Sequence, residues 1–508
     1  MKKIQWIYAL MLMMAAGLTG CQSIEDTIKE YTEDGEIRYV GQCRNLAIRP
    51  GWERLYITWE NSVDPIVDKI MLTWEVNDEA DTVYLDRGTT AYNLTRLAEG
   101  NYRISVAGVD KEGNVAYPVV LYGRPYSDSH EAVLAFTRII SKHYFIGNRL
   151  VLTFGEWQDG VKSAVLKYTL QGGQEDSLVL DQALVDKKYY LIPGAIDKSK
   201  PVTLYRSGML AGSLDLITFA PYQLAEEHIY SSDFKEYVRQ RYGLGSAQMT
   251  ADGEIREDWV QGLTELELDG NFLSFEDVFY LPNLKKLVLG KHRYLTDAGI
   301  ADADRGQSKV YDANLSDFAL KTMNSLTGLT VDRYNKHYSA LTTASYIEEK
   351  GKPSLPTVNE LSLAHAIIKV TPADANGYNS FVEALTDGNV STIWRTEEQD
   401  ADLTYKILID LGEERQVNGL KLVQKSFTST DQDIDILPSS VQISVAGEDR
   451  QYVTATNVFD YALGRSSGET HFIDFRAGLS PVRYVEVSVP ASFVRKFYAT
   501  AIAEIGLY

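Results

Sequence analysis

The sequence predicts a mainly β, multi-domain chain: two small sandwiches, a short α/β leucine-rich segment, and a C-terminal β-sandwich or jelly roll. Three observations carry that prediction. At 508 residues the chain exceeds the roughly 100 to 200 residues that one core organises, so about three to five units are expected. Over most of its length apolar residues alternate in short runs separated by turn residues, the period-two pattern of half-buried strands. In the middle of the chain leucines recur at LxxLxL spacing, as in repeats that stack because no single one can bury its own apolar face.

Composition bounds the function. Hydrophobic residues make up 44% and charged residues 24%, so each unit can bury a core and wholesale disorder is disfavoured. Lys and Arg total 50 against 70 Asp and Glu, a formal charge of -20 that a phosphate backbone would repel, and no nucleic-acid partner is expected. Cys21 and Cys43 are the only cysteines, too few for a disulfide framework or a cysteine-rich zinc site.

Residues 1–20 read as a secretory signal: Lys2 and Lys3, the apolar run IQWIYALMLMMAAGL, then small residues. The sequence LTGC at residues 18–21 resembles a bacterial lipobox. That resemblance implies cleavage before Cys21, lipidation of its sulfur, and acyl chains as the membrane anchor; the alternative is a secreted soluble protein with a cysteine at its cleavage site. Cleavage removes Lys2 and Lys3 but no acid, deepening the formal charge by two. Residues 21–38, beginning CQSIEDTIKEYTEDG, read as a solvated acidic tether. They are also similar to the acidic export signals that follow the cysteine in surface lipoproteins of Bacteroidetes, with Gln22 in place of Asp. An outer-membrane lipoprotein displayed at the cell surface is expected, with a periplasm-facing one the alternative.

In residues 39–128, Leu55, Ile57 and Trp59 share one strand face, and Ile70, Leu72 and Trp74 repeat the spacing. LAEGNYRISVAGV sets Leu97 and Gly100 ahead of Tyr102 and alternates Ile104 with Val106. This stretch resembles the tyrosine corner and following strand of a fibronectin type III domain. Sugar stacking by Trp59, Trp74 or Tyr102 is the competing reading, and their inward periodicity favours core. Residues 129–222 repeat the style with Leu150, Leu152 and Phe154, then Ala164, Leu166, Tyr168 and Leu170, predicting a second immunoglobulin-like sandwich. Together the pair resembles the N-terminal region of Bacteroidetes surface lipoproteins that carry a fibronectin-like domain of unknown function, a likeness that names no activity.

Residues 223–363 open with a short helix in DFKEYVRQRYGL, with Phe234, Tyr237 and Tyr242 on one face and Ser232 or Asp233 as the cap. LTELELDGNFL then places Leu263, Leu266, Leu268, Asn271 and Leu273 at the offsets of a leucine-rich repeat. The phase restarts at Leu284, Leu287 and Leu289, where His292 replaces the Asn, and echoes at Leu326, Leu329 and Val331 and at Val358, Leu361 and Leu363. The interrupted stretch TDAGIADADRGQSK lies between. A degenerate array serving as spacer or docking surface is expected.

Residues 364–508 alternate again in YKILIDLG, VNGLKLVQ, SSVQISVAG, VRYVEVSV and AIAEIGLY, with Val441, Ile443 and Val445 on one face and Val485, Val487 and Val489 on another. The blocks ALTDGNVSTIW, IDLG, PSSVQISVAG, RYVEV and AEIGLY, in this order, resemble the discoidin or coagulation factor five/eight type C fold, whose relatives include many carbohydrate-binding modules. The resemblance covers about 140 residues. It implies a structural calcium ion bound by the carbonyl of Ala384, the Asp387 carboxylate, the Asn389 carbonyl, Thr392, the Ala503 carbonyl and Glu504. Calcium takes six to eight hard oxygens, and the turn at Asp387, Gly388 and Asn389 suits them; an Asp-Gly turn that binds no metal is the alternative. Trp394 is expected in the core beside that turn.

Glycan binding in such modules implies loop residues near the metal, an aromatic face on sugar C–H groups and polar side chains on hydroxyls. Tyr378, Arg395, Phe427, Phe497 and Tyr498 are the candidates. Discoidin folds also host phospholipid and protein binders, and the net acidity argues against anionic lipid. The sequence contains no HExxH, GxSxG, GxGxxG or GxxxxGK[ST] motif, and its seven histidines are scattered. The expected protein is a surface-anchored, non-catalytic lipoprotein that binds glycan or polysaccharide, by analogy beside an outer-membrane uptake complex that supplies a protein partner. The alternative is an adhesin or scaffold that binds a protein through its leucine-rich or sandwich surfaces.

Overall fold

The computed structural model describes residues 39–137, 139–213, 215–296, 306–373, 378–427, 436–479, 481–494 and 496–508. The predicted signal, Cys21 and the acidic tether lie outside the described residues, as does most of the stretch TDAGIADADRGQSK. The chain is mainly β and multi-domain, with four large hydrophobic cores among the described residues.

The first sandwich pairs Arg44–Gly51, Arg54–Glu60 and Ala91–Thr95 in one antiparallel sheet. The other sheet runs Glu79–Asp86, Lys69–Val76, Tyr102–Val109, Val119–Gly123. Leu55, Ile57 and Trp59 meet Ile70, Leu72, Ile104 and Val106 between them. Trp74 is only half-buried, packed at the margin of that core. The Tyr102 hydroxyl donates to the Ala98 carbonyl at 3.1 Å, closing the corner ahead of its strand.

In the second sandwich Leu150, Leu152 and Phe154 face Ala164, Leu166 and Tyr168. Val151 points the other way and is also fully buried, because Tyr144, Ile146 and Val151 enter the core of the leucine-rich unit. The Ile140–Ile146 and Arg149–Phe154 strands therefore carry two buried faces, where the sequence pattern suggests one. Tyr144 donates to Glu276 Oε2 at 2.5 Å, and Lys142 Nζ lies 2.6 Å from Oε1, so the buried Glu276 is paired on both oxygens. At the other end Trp52 packs edge-on to Phe219, Arg54 Nε donates to Asp215 Oδ2 at 2.9 Å, and the Tyr126 hydroxyl donates to the Ala211 carbonyl at 2.6 Å.

The leucine-rich unit is a parallel sheet of Glu265–Leu268, Lys286–Leu289, Thr330–Tyr334 and Ile347–Lys350. Its register stacks Leu266, Leu287, Val331 and Ile347 into one buried row. The helix Ala313–Thr327, capped by Asp312, packs Ala319, Leu320 and Met323 behind it. Asn271 Oδ1 accepts the Lys309 N–H at 2.9 Å, whereas His292 turns to the Glu267 carboxylate at 2.6 Å. Three expectations are corrected here. The cap of the helix Ser232–Tyr242 is Ser231, in extended backbone, with its side chain on the Phe234 N–H. Leu273 is exposed rather than packed. The fourth parallel strand is Ile347–Lys350, while Leu361 and Leu363 pack on the C-terminal core, where the Leu361 N–H donates to the Leu507 carbonyl at 2.7 Å.

The C-terminal sandwich sets a sheet of Ile367–Thr371, Thr404–Arg415, Val482–Pro490, Ser440–Ala446 and Val453–Thr454 on a second one. The latter runs Trp394–Arg395, Ala501–Leu507, Gly419–Gln424, Thr470–Asp474. Val441, Ile443, Val445, Val485, Val487 and Val489 fill the space between. This unit is joined to the leucine-rich one by the Thr470 N–H on the Leu295 carbonyl at 2.7 Å and the Gly306 N–H on Ser466 Oγ at 2.6 Å. No helix among the described residues is long and apolar enough to cross a membrane.

Candidate functional site

The site is built where the last strand meets the loop ahead of Trp394. Trp394 pairs with Ile502 and Arg395 with Ala501, and the fully buried indole stands edge-on to Tyr405 with centroids 5.9 Å apart. That anchor fixes the preceding turn. Within it Asp387 Oδ1 accepts the Asn389 N–H at 2.8 Å. The Thr392 hydroxyl lies 2.7 Å from both Asp387 Oδ2 and the Asn389 carbonyl, so it donates to one at a time. Gly388 takes a left-handed φ of 74°, the conformation that makes glycine the residue of choice here.

Glu504 lies beneath this turn. Its Oε1 accepts the Gly388 N–H at 3.3 Å, and its Oε2 is buried without a hydrogen-bond partner. Burial pushes the Glu504 carboxyl up to about 7, the Asp387 charge adds to the rise, and Lys421 opposes it. Lys421 is itself paired with Glu360 at 2.6 Å. On the neighbouring strand the register passes from Val423–Glu504 to Gln424–Ile502, so Ala503 is the extra residue of a β-bulge, taken out of the ladder on that side.

The six residues expected around a metal thus fall in one neighbourhood. Asp387, Asn389 and Thr392 are hydrogen-bonded to one another, Glu504 accepts the Gly388 N–H of the same turn, Ala503 precedes Glu504 at the bulge, and Ala384 is buried near the end of the helical segment Tyr378–Leu385. The donor chemistry fits a hard cation. Among the described residues no three His, Cys, Asp or Glu side chains gather at a metal-binding distance, so a cation here would rely on carbonyl and hydroxyl oxygens beside its carboxylates. Two carboxylates, a hydroxyl and turn carbonyls are what calcium uses, and the buried Glu504 Oε2 has no hydrogen-bond partner.

Of the ligand candidates, the structure groups Arg395, Phe497 and Tyr498. Gln399, four residues after Arg395, exchanges backbone hydrogen bonds with Tyr498 at 2.8 and 3.0 Å. Tyr498 pairs with Phe493 across the hairpin of Ser492–Val494 and Phe497–Ala499, their rings 5.1 Å apart. Phe493 is 61% exposed and Phe497 39%, so the hairpin offers an aromatic surface over a small cluster of Val494, Ala499, Ala501 and Ile436. Arg395 Nη2 lies 3.3 Å from Glu398, while its Nε is buried without a partner. Phe427 belongs to a different loop, half-buried and tied through its backbone to Ser467 Oγ at 2.7 and 2.6 Å. Tyr378 opens the helical segment ahead of the Asp387 turn. Sequence reasoning missed Phe493; the signal was a pair of aromatic positions flanking the basic Arg495 and Lys496, which reads as a hairpin.

Compared with known proteins, residues 21–198 match the model of DUF4998, a domain of unknown function. No curated protein matches the chain. Among solved structures, an F5/8 type C domain from Bacteroides fragilis is 15% identical, covering 29% of this chain and 94% of that one with a TM-score of 0.24. A two-domain fibronectin type III segment of chicken tenascin is 14% identical, covering 36% of this chain and 99% of that one with a TM-score of 0.18. The CBM32-1 and CBM32-2 domains of Clostridium perfringens ZmpB, solved in complex with GalNAc, are 14% identical, covering 29% of this chain and 35% of that one with a TM-score of 0.23.

Proposed function

We propose that this protein is a surface-anchored, non-catalytic lipoprotein that binds glycan or polysaccharide through its C-terminal unit, beside a polysaccharide-uptake system. The observation that carries the reading is the exposed aromatic hairpin of Phe493, Phe497 and Tyr498, whose strand is bonded to the loop that follows Arg395. An exposed ring covers the C–H face of a pyranose, and a guanidinium donates in a fixed fork to its hydroxyls. A rigid support lowers the entropy lost when such a flat ligand is captured. Calcium, when bound, would supply positive charge beside the Asp387 and Glu504 carboxylates. Asp387 and Glu504 would hold it, helped by Thr392 and the carbonyls of Ala384, Asn389 and Ala503, and the last strand and the turn would then be clamped together. Its role is structural, and the protein residues do the recognition.

The test is a glycan and polysaccharide array probed with the mature chain, residues 21–508. Binding that falls about tenfold or more with Arg395→Ala or Phe493→Ala, while the melting temperature holds, is the expected result. A chain that captures no glycan, or one whose binding both variants leave intact, overturns the reading. Mass spectrometry of the native protein reads the lipid on Cys21 independently.

A further inference from the structure

We propose that the free tip of the first sandwich rests on the lipid surface to which the chain is anchored, an inference that builds on the anchor reading above. Three segments meet at this tip. The Gly41 N–H donates to Asp64 Oδ2 at 3.0 Å, the Asp68 N–H to the Val109 carbonyl at 2.8 Å, and the Ala116 N–H to the Gly108 carbonyl at 2.8 Å. Packing between them is close: a Cβ on Gly108 would sit 3.1 Å from the Gly41 carbonyl oxygen.

Each segment carries a large apolar side chain out into solvent. Tyr39 is 86% exposed, Val63 98%, Tyr117 82% and Val115 48%. Exposed apolar residues scattered singly need no explanation, but these four gather at one end of one sandwich. That end is also the one turned away from the rest of the molecule. The Arg54–Glu60 strand begins at the Asp215 contact with the second sandwich and runs towards Asn61 and Ser62 at the tip.

The chain enters the fold at this same tip. Cys21 lies eighteen positions before Tyr39, a span that reaches at most about 60 Å fully extended. An anchored sandwich is therefore held with its free end near the bilayer, where effective concentration makes even weak apolar contacts count. Tyrosines suit the headgroup level, with an apolar body and a wet hydroxyl. Charge does not drive the contact. Asp64, Asp68, Asp110 and Glu112 share the tip with Lys111 and Arg87, and Arg87 is engaged on the carbonyls of Asp64 and Pro65 at 3.1 and 3.0 Å. The acids outnumber the bases, so an anionic surface is disfavoured and a zwitterionic interface is the one proposed.

The mature chain, residues 21–508, is coupled through Cys21 to a maleimide lipid in phosphatidylcholine vesicles with brominated acyl chains; Cys43, 1% exposed, is sheltered from the reagent. With Val63→Trp introduced, the added indole emission should fall by about half against unbrominated vesicles, and Tyr39→Ser with Tyr117→Ser should cancel most of that loss. Emission that ignores bromine, or a loss that requires added phosphatidylglycerol, overturns the proposal. So does a dimer in sedimentation that Val63→Asp splits, since the tip would then belong to a second copy. Because coupling imposes the anchor chemically, absent quenching removes the tip contact while the anchor reading stands; a native chain with no acyl group on Cys21 removes the anchor and the docking with it.

Discussion

The Glu504 carboxylate accepts the Gly388 backbone N–H at 3.3 Å, joining the final strand to a turn 116 positions earlier in the chain. The other oxygen of that carboxylate is buried with no hydrogen-bond partner. Calcium added to the chelator-treated mature chain should therefore raise the melting transition of the C-terminal unit, by about 2.7 kcal/mol of stability at a hundredfold excess over Kd. Glu504→Gln and Asp387→Asn should both lose this response. Without calcium Glu504→Gln should melt no lower than the parent, since a neutral amide avoids burying a charge. Calorimetry with and without chelator decides it, and a transition indifferent to calcium would remove the metal from the account.

Glu469 lies at the junction between the leucine-rich and C-terminal units, 2% exposed. Burial pushes its carboxyl up to about 7, against the Ser466 N–H and Arg293, which pull it down. An acid whose folded value exceeds its unfolded one binds more protons when folded, so its contribution to stability falls as pH rises from about 4.5 to about 7. Glu469→Gln should remove that loss. The variant should gain on the parent between pH 4.5 and pH 8, by about 1 to 3 kcal/mol. His471 and His337, both pushed down to about 4 by burial, work in the opposite sense below pH 6.5, but they are present in both proteins. Parallel melts across that range measure the difference, and equal slopes would contradict the assignment.

Tyr102→Phe removes the hydroxyl that donates to Ala98 while leaving the ring in the first core. The expected cost is about 0.5 to 1.5 kcal/mol, the net worth of one such hydrogen bond. Urea unfolding followed through the first sandwich measures it; a loss well beyond that range would mean the ring had also moved.

Tyr144→Phe should cost more, about 1 to 3 kcal/mol, because it strips one partner from the buried Glu276 and leaves Lys142 alone to hold it. Val151→Ala should cost about 0.5 to 2 kcal/mol through lost packing in the leucine-rich core. Both substitutions lie in the second sandwich, yet hydrogen exchange should quicken in the strands Glu265–Leu268 and Lys286–Leu289 as well. Protection lost in the sandwich alone would show that the two cores are independent.

What the sequence determines by itself is what depends on neighbours a few positions apart. Alternation at Leu55, Ile57 and Trp59, or at Val441, Ile443 and Val445, specifies a strand with one buried face, because side chains on a pleated strand point to opposite sides whatever lies across from them. The mainly β, multi-domain character follows from those local periods, and the Asp-Gly pair at Asp387 and Gly388 marks a turn. Tertiary structure decides where a face goes when two elements compete for it. Val151 has no periodic signal of burial, yet a second core covers it; Leu361 carries the leucine-rich spacing, yet the backbone of Leu507 takes it. The exposure of Phe493 and the orphaned oxygen of Glu504 are likewise set by segments distant in the chain. Burial energy depends on total contact and is indifferent to sequence separation, so local pattern can specify an element and one of its faces but not the surface that face meets.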